Sequence, residues 1–486
     1  MDGKRSVIVA GLLAVGSSCF APPAAAASDP AATTVRVRPA RIAALSYGDV
    51  PTITGSAWWD DGGDLAPVAA GAITLEAKDW RSDWAPVATT ATDGGGRFTL
   101  RPRLEPGRWS LRVALAPGGG RAGSLAPGGA VQVRPADTRV TLSGPARVGS
   151  EQPFALTAVL TSPTAPAAAL NGRTLLVQLR GLTTGDRWST IRRLPTNSAG
   201  RAGTRLVLWR GGRVRVVFDG DDRLQPVDGA DRPVVTVPPG RVVPVPAGAP
   251  EPKLRFPVRA APSGTGATPA ISAIPDPVWA SMQGRSWHAG CLARSSLRLL
   301  QVNHWGFDGY RYRGRLIVRS DVADAFAAAF RELYDRHYPI RQIVLPDAFG
   351  RQWNGVGAND LGSMAADNTS AFNCRYVDGK ERQRALSPHA GGRALDLNPW
   401  ENPYRSVVGP LPNAWYLAHR PAGHPPLLVA GGRPVAAFTA RGWTWGGRWT
   451  GERDYQHFER RAPRSGAAGN QPGSAVVDAY ATAGHH

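Results

Sequence analysis

The sequence predicts three folded parts in series: two all-β sandwiches, then an α+β unit with an antiparallel sheet. Its 486 residues suffice for about three domains. Gly (57) and Pro (43) make up about a fifth of the chain, which favours short strands and turns over long helices. The hydrophobic pattern alternates with period two as far as about Val237 and acquires a helical period only after about Pro277.

In the first part "TTVRVRP", "AITLEAKDW" and "GRFTLRPRL" alternate between Gly/Asp clusters such as Asp93-Gly94-Gly95-Gly96. The second part has the same grammar in "RVTLSG", "RTLLVQLRGL", "GTRLVLW" and "GRVRVVFDGD". The order of parts in "DWAPVATTATDGGGRFTL…GRWSLRV" returns in "RWSTIRRLPTNSAGRAGTRLV…GGRVRVV". These features predict two successive Ig-like β-sandwiches, residues 28–137 and 138–237, related by duplication. Trp58, Trp59, Trp80, Trp84 and Trp109 are read as core or edge cover, with a carbohydrate-stacking platform as the alternative. Residues 238–276 are rich first in Pro and then in Gly, Ser and Thr. They are expected to form a linker that holds the last unit away from the sandwiches.

The N-terminus reads as a signal peptide, residues 1–27. Lys4 and Arg5 precede an apolar run from Val7 to Phe20, and Ala24-Ala25-Ala26-Ala27 supplies the cleavage site. No later run reaches the ~20 apolar residues of a membrane span. The chain is therefore expected outside the cell, without a membrane span after signal removal. Loss of the signal removes Cys19 and leaves Cys291 and Cys374, the number one disulfide requires in an oxidising compartment. The formal charge of +20 implies attraction to polyanions. Lys/Arg blocks, zinc-finger spacing and aromatic–basic motifs are missing, which argues against nucleic acid as the partner. Anionic cell-wall polymers are the more natural partner of a secreted chain.

In residues 277–462, Val322, Phe326, Phe330 and Leu333 form one stripe of a helix over Asp321–His337, which Pro339 ends. Strands are expected at 314–318 and 341–345. Residues 463–486 read as a flexible tail. The chemistry lies in two clusters, Ser387-Pro388-His389…Asp396-Leu397-Asn398 and Asp454-Tyr455-Gln456-His457-Phe458-Glu459. Two histidines and a carboxylate are the residue types of a three-ligand catalytic zinc site. Period two along "RALDLNP" places Asp396 on the face opposite Leu395 and Leu397. Taken alone, a histidine followed by an aspartate seven residues later reads better as a satisfied structural histidine.

S-x-H-x-x-G-x-A-x-D followed by D-x-x-H-F-E resembles the signature of the D-alanyl-D-alanine carboxypeptidase-like zinc peptidases. That family includes vancomycin-resistance D,D-peptidases and phage L-alanyl-D-glutamate endopeptidases. The resemblance extends upstream through "HWGFDGYRYRGRLIV", "FRELYDRHYPI" and "DNTSAFNCR", and does not reach the sandwiches. It implies an α+β zinc peptidase that uses Zn2+-activated water on the peptide stems of peptidoglycan. By position, it implies zinc ligands at His389, Asp396 and His457, a general base at Asp454 and a cationic substrate-orienting residue at Arg375. Ser370 accompanies Arg375, and Ser387 and Glu459 are placed to support the ligand histidines. Asp454 and His457 are three apart and would face opposite sides of a regular strand, so an irregularity near Tyr455-Gln456 is expected. Trp443, Trp445 and Trp449 read as core packing or cleft wall. The alternative reading is a zinc-bearing but catalytically inactive wall-binding protein with Ig-like adhesion domains.

Overall fold

The computed structural model describes residues 31–39, 41–61, 63–181, 186–252, 254, 257–377, 382–406 and 409–461. The expected signal peptide and tail lie outside the described residues. The fold is mostly β. In its first part, Thr33–Arg38, Ile53–Asp61, Asp64–Pro67 and Arg97–Leu100 form a small sheet. It faces a five-stranded sheet ordered Leu45–Ser46, Ser124–Arg134, Gly107–Leu115, Ala72–Lys78, Ala85–Ala91. The alternating residues do what their period dictates: Val35, Ile53 and Phe98 meet Ile73, Leu75, Leu111 and Val113 in one core.

The second part repeats this order. Arg139–Ser143, Pro153–Thr161 and Arg201–Val207 form the small sheet. Opposite them lies Arg147–Gly149, Arg232–Val237, Gly212–Phe218, Thr174–Arg180, Ser189–Pro195. In both parts a short strand joins the edge of the larger sheet in parallel. Trp59 and Trp109 pack against the first core, as expected of cover, whereas Trp80 is 81% exposed.

Residues 238–276 do not behave as a spacer. The Gly240 amide donates to Gly309 and the Val243 amide to Phe307, at 2.9 and 2.7 Å. The Trp400 indole donates to the Pro250 carbonyl at 2.7 Å, and Ala270–Ser272 pairs antiparallel with Leu299–Gln301. Proline removes donors but leaves carbonyls and the intervening amides, and these pair with the C-terminal unit. The second sandwich is also fastened there. Arg311 forks onto Glu151 at 2.8 and 2.6 Å. The Trp209 indole donates to the Arg311 carbonyl at 2.7 Å, and the Tyr310 hydroxyl donates to the Thr236 carbonyl at the same distance.

The C-terminal unit is built on the antiparallel strands Leu297–Trp305 and Arg311–Arg319. A single 3-10 turn, Ser320–Val322, leads into the helix Ala323–Asp335, which buries Phe326, Phe330 and Leu333 on the expected stripe. The segment 341–345 forms no ladder: it makes one isolated bridge, Gln342 with Asn368, and the Ile343 carbonyl accepts from the Arg315 amide at 3.0 Å. The Asn368 side chain takes up Val344, accepting from its amide at 2.9 Å and donating to its carbonyl at 3.0 Å. Cys291 and Cys374 form a disulfide across 83 residues. Closing a loop of that length stabilises a fold by roughly 4 kcal/mol in the chain-entropy model. No helix among the described residues is long and apolar enough to cross a membrane.

Arg311 is 8% exposed, so Glu151→Ala strands a buried cation at the junction between sandwich and C-terminal unit. The expected loss is about 2 kcal/mol, read by calorimetry as a lower melting transition of the C-terminal unit. An unchanged transition would show that the junction adds nothing to stability.

Candidate metal centre

Asp396 and His457 are brought together by sheet register. Ala394–Asp396 runs antiparallel to His457–Glu459, with Asp396 directly opposite His457 and Leu395 opposite Phe458. Directly opposed residues point to the same face, some 4.5–5.5 Å apart at Cβ. The alternate face carries Leu395, Leu397 and Phe458 into the core. The leucines anchor the strand and leave Asp396 to project from it.

His389 arrives from the other side of a tight reversal. It sits in the 3-10 turn Pro388–Gly391, where the Ser387 hydroxyl accepts from the His389 amide at 3.4 Å. Gly392 follows at φ 67°, a left-handed conformation in which a side chain would be strained. This turn returns the chain into the strand carrying Asp396.

The three side chains converge. His389 Nε2 lies 3.1 Å from one oxygen of Asp396. His457 Nδ1 lies 3.0 Å from the other, and the two ring nitrogens are 3.3 Å apart. All three residues are buried. Zinc ligands at 2.0–2.1 Å around a tetrahedral centre stand roughly 3.3 Å from one another, so the triangle has close to the required edge. The protonation pattern fits as well. His389 Nδ1 donates to the Ala371 carbonyl at 2.5 Å, which leaves Nε2 with its lone pair toward the triangle. His457 Nε2 is buried without a hydrogen bond, 3.7 Å from Glu459 Oε2. His457 thus presents Nδ1 inward and holds Nε2–H toward a carboxylate. The residues fit a zinc ion by donor type, spacing and tautomer.

Electrostatics point the same way. Burial would raise the Asp396 carboxyl, but the two imidazoles override it and hold Asp396 well below the usual carboxylate range. Burial pulls the His457 imidazole down, and its bond to Asp396 together with the nearby Glu459 carboxylate outweighs this and raises it to about 10. An ionised carboxylate beside an imidazole that clings to a proton marks a site demanding positive charge, which a metal supplies in the proton's place.

Asp454 is outside the triangle and close to it. Residues 455 and 456 form a bend, where the irregularity is expected, and the His457 amide points back at the Asp454 carbonyl at 3.4 Å. Asp454 is held on its other side by its amide to the Gly446 carbonyl, 3.2 Å. A Cβ at Gly446 would stand 2.6 Å from the Asp454 carbonyl, so only glycine permits this approach. Asp454 Oδ1 is sealed from solvent and has no hydrogen-bond partner. Burial raises its carboxyl to about 8, the Asp396 charge adding to it against the pull of His457.

The remaining expected residues fall as follows. Arg375 is buried, with Nη2 2.6 Å from Asp360 and Nη1 donating to the Tyr376 carbonyl. Ser370 acts through its backbone, exchanging hydrogen bonds with Asp396 at 3.1 and 2.9 Å. Trp443 and Trp445 belong to the core, whereas Trp449 is half-buried with its ring 5.5 Å from that of His457. Sequence reasoning missed Asp360 and the Ala371 carbonyl. Asp360 opens a helix capped by Asn359 and reads as ordinary capping chemistry. Ala371 contributes a backbone atom, which no residue type announces. A second grouping, His288 with Cys291 and Cys374, offers no thiolates because its two sulfurs are bonded to each other.

Residues 380–460 match the family model described as D-alanyl-D-alanine carboxypeptidase. The resemblance read from the two motifs therefore holds for the C-terminal region, and the match contains all three converging residues, Asp454 and Glu459. No curated protein matches the chain. Among solved structures, a superoxide reductase (neelaredoxin) from Ignicoccus hospitalis is 13% identical, covering 20% of this chain and 80% of that one at a TM-score of 0.17. A marsupial T cell receptor is 11% identical over 60% of this chain and 93% of its own, at 0.21. The D0–D1 domain of intimin is 15% identical over 42% and 98%, at 0.16. At such scores they assign neither fold nor function.

His457→Ala should abolish stoichiometric zinc binding, as measured by metal analysis after dialysis. Glu459→Gln should weaken zinc about 10-fold in chelator competition while leaving the fold intact. Unchanged zinc affinity in both variants would remove His457 from the ligand set.

Proposed function

We propose that the chain is a secreted zinc metallopeptidase that hydrolyses peptide stems of peptidoglycan, as a D,D-carboxypeptidase or a related endopeptidase. The observation that carries the reading is the buried triangle of His389, Asp396 and His457 beside an unpartnered Asp454 oxygen, inside the region that matches the peptidase family. The sandwiches are read as Ig-like from their paired sheets and parallel edge strands.

When bound, zinc supplies Lewis-acid polarisation of the scissile carbonyl and makes water acidic enough to react near neutral pH. His389, Asp396 and His457 hold the ion. Asp454 moves the proton: Oδ1 takes it from the attacking water as the new C–O bond forms. It then passes the proton to the departing nitrogen as the C–N bond breaks. Its lack of a competing hydrogen bond leaves Oδ1 available for that transfer. Arg375, whose guanidinium is held by Asp360, is read as the group that pairs with a substrate carboxylate or the developing oxyanion. Trp449 forms a wall next to His457.

Asp454→Asn should keep one zinc and lose about 10²–10⁴-fold in kcat on a disaccharide pentapeptide, with products read by mass. Full turnover in that variant would sink the base assignment. A zinc-loaded wild-type protein that cleaves no stem bond would instead favour a wall-binding protein without catalysis. Arg375→Ala should raise KM or lower kcat by about 10-fold or more with zinc retained, and an unaltered kcat/KM would exclude the substrate-orienting role.

A further inference from the structure

The small sheet of each sandwich presents to solvent a face where arginines alternate with hydroxyls. In the first sandwich the register puts Arg36, Ser56 and Arg97 in one row, and Arg38, Thr54 and Thr99 in the next. Trp58 stands in the row beyond, opposite Thr34. The three arginines are exposed, and these rows contain no carboxylate. Asp60 is four residues along the strand from Ser56, about 13 Å away, and the Asp93 carboxylate at the end of the sheet is turned to the Arg97 amide at 2.8 Å. The second sandwich repeats the arrangement on the equivalent sheet. Arg139 is opposite Thr161, Arg201 opposite Val159 and Arg205 opposite Ala155, with Thr141, Ser143 and Thr157 between them. Its three strands contain neither Asp nor Glu.

None of these six arginines joins an ion pair among the described residues. On the larger sheets charge is mixed: Arg112 pairs with Glu76, Arg213 with Asp231 and Arg215 with Asp228, at 2.5, 2.5 and 2.9 Å, although others such as Arg108 and Arg134 join no ion pair among the described residues. Like charges gathered on one sheet face repel, at a cost to stability. The same sheet bears that cost in both sandwiches, and a ligand of opposite charge removes it. Arg36 and Arg97 are two strands apart, about 10 Å, a spacing suited to successive anions along a chain. Arginine forks take phosphate oxygens in pairs, and a hydroxyl such as that of Ser56, which accepts from the Trp58 indole at 3.1 Å, can donate to the same groups, whereas the Ser143 hydroxyl already donates to the Thr157 carbonyl at 3.2 Å.

We propose that these two faces bind a phosphodiester-linked polyol or sugar polymer of the cell wall and hold the peptidase against its substrate. The location in the wall rests on the function proposed above, while the faces themselves do not. Two faces on one chain convert individually weak contacts into retention through effective concentration.

The test uses the full chain and soluble poly(glycerol phosphate), with binding followed by calorimetry from 50 to 300 mM NaCl. R36S/R38S/R97S and R139S/R201S/R205S should each weaken binding at least 10-fold. Each should also lower the slope of log K against log salt by roughly two to three. R103S/R108S/R134S removes the same charge from exposed positions of the first sandwich outside that face, and should change affinity less than threefold. An equal loss in this control, equal binding of polyglutamate, or no binding by the wild type would overturn the proposal. Preference for single-stranded DNA of equal length, or for anionic vesicles, would overturn it too. Hydrolysis of a soluble stem peptide by the same preparations separates the two readings: polymer binding without hydrolysis supports the faces and defeats the peptidase.

Discussion

The antiparallel pairing of Asp396 with His457 is the contact on which the candidate site depends. It places a carboxylate and an imidazole on one face of a short strand pair, while Leu395 and Phe458 fix the other face in the core. A slip of one residue would turn both ligands into the core and both anchors out. The pair is therefore specified by hydrophobic burial, and its chemistry follows from register. His389 completes the triangle because Gly392 lets the chain reverse within a few residues, and the Ala371 carbonyl fixes which nitrogen faces inward.

Much of this was legible in the sequence because it is written in periods and spacings. Alternation along "RALDLNP" gave the direction of Asp396, and the odd spacing from Asp454 to His457 demanded the bend found at 455 and 456. The stripe of Phe326, Phe330 and Leu333 predicted the helix that backs the sheet. What escaped notice depends on distant partners or on backbone atoms. Asp360 carries no mark that it will meet Arg375, fifteen residues on. The segment 341–345 has strand composition, but its backbone pairing stops at an isolated bridge and the Asn368 side chain takes both polar groups of Val344.

The larger misreading concerned residues 238–276. Their composition is that of a spacer, and composition reports the donors that proline removes but not where the remaining amides and carbonyls find partners. Gly240, Val243 and Pro250 find partners on the C-terminal unit, and Ala270–Ser272 adds a strand to its sheet. With Glu151 forked onto Arg311, the second sandwich is part of the support of that unit. The same architecture keeps the arginine-bearing sheets on a scaffold continuous with the site they would serve.

The most direct test of the metal centre is a crystal of the zinc-loaded protein, with anomalous differences collected on both sides of the zinc absorption edge. One peak is expected about 2.0–2.1 Å from His389 Nε2, His457 Nδ1 and an oxygen of Asp396, with Asp454 outside the ligand shell. A peak elsewhere, or coordination by His457 through Nε2, would contradict the account of how this strand pair builds the site.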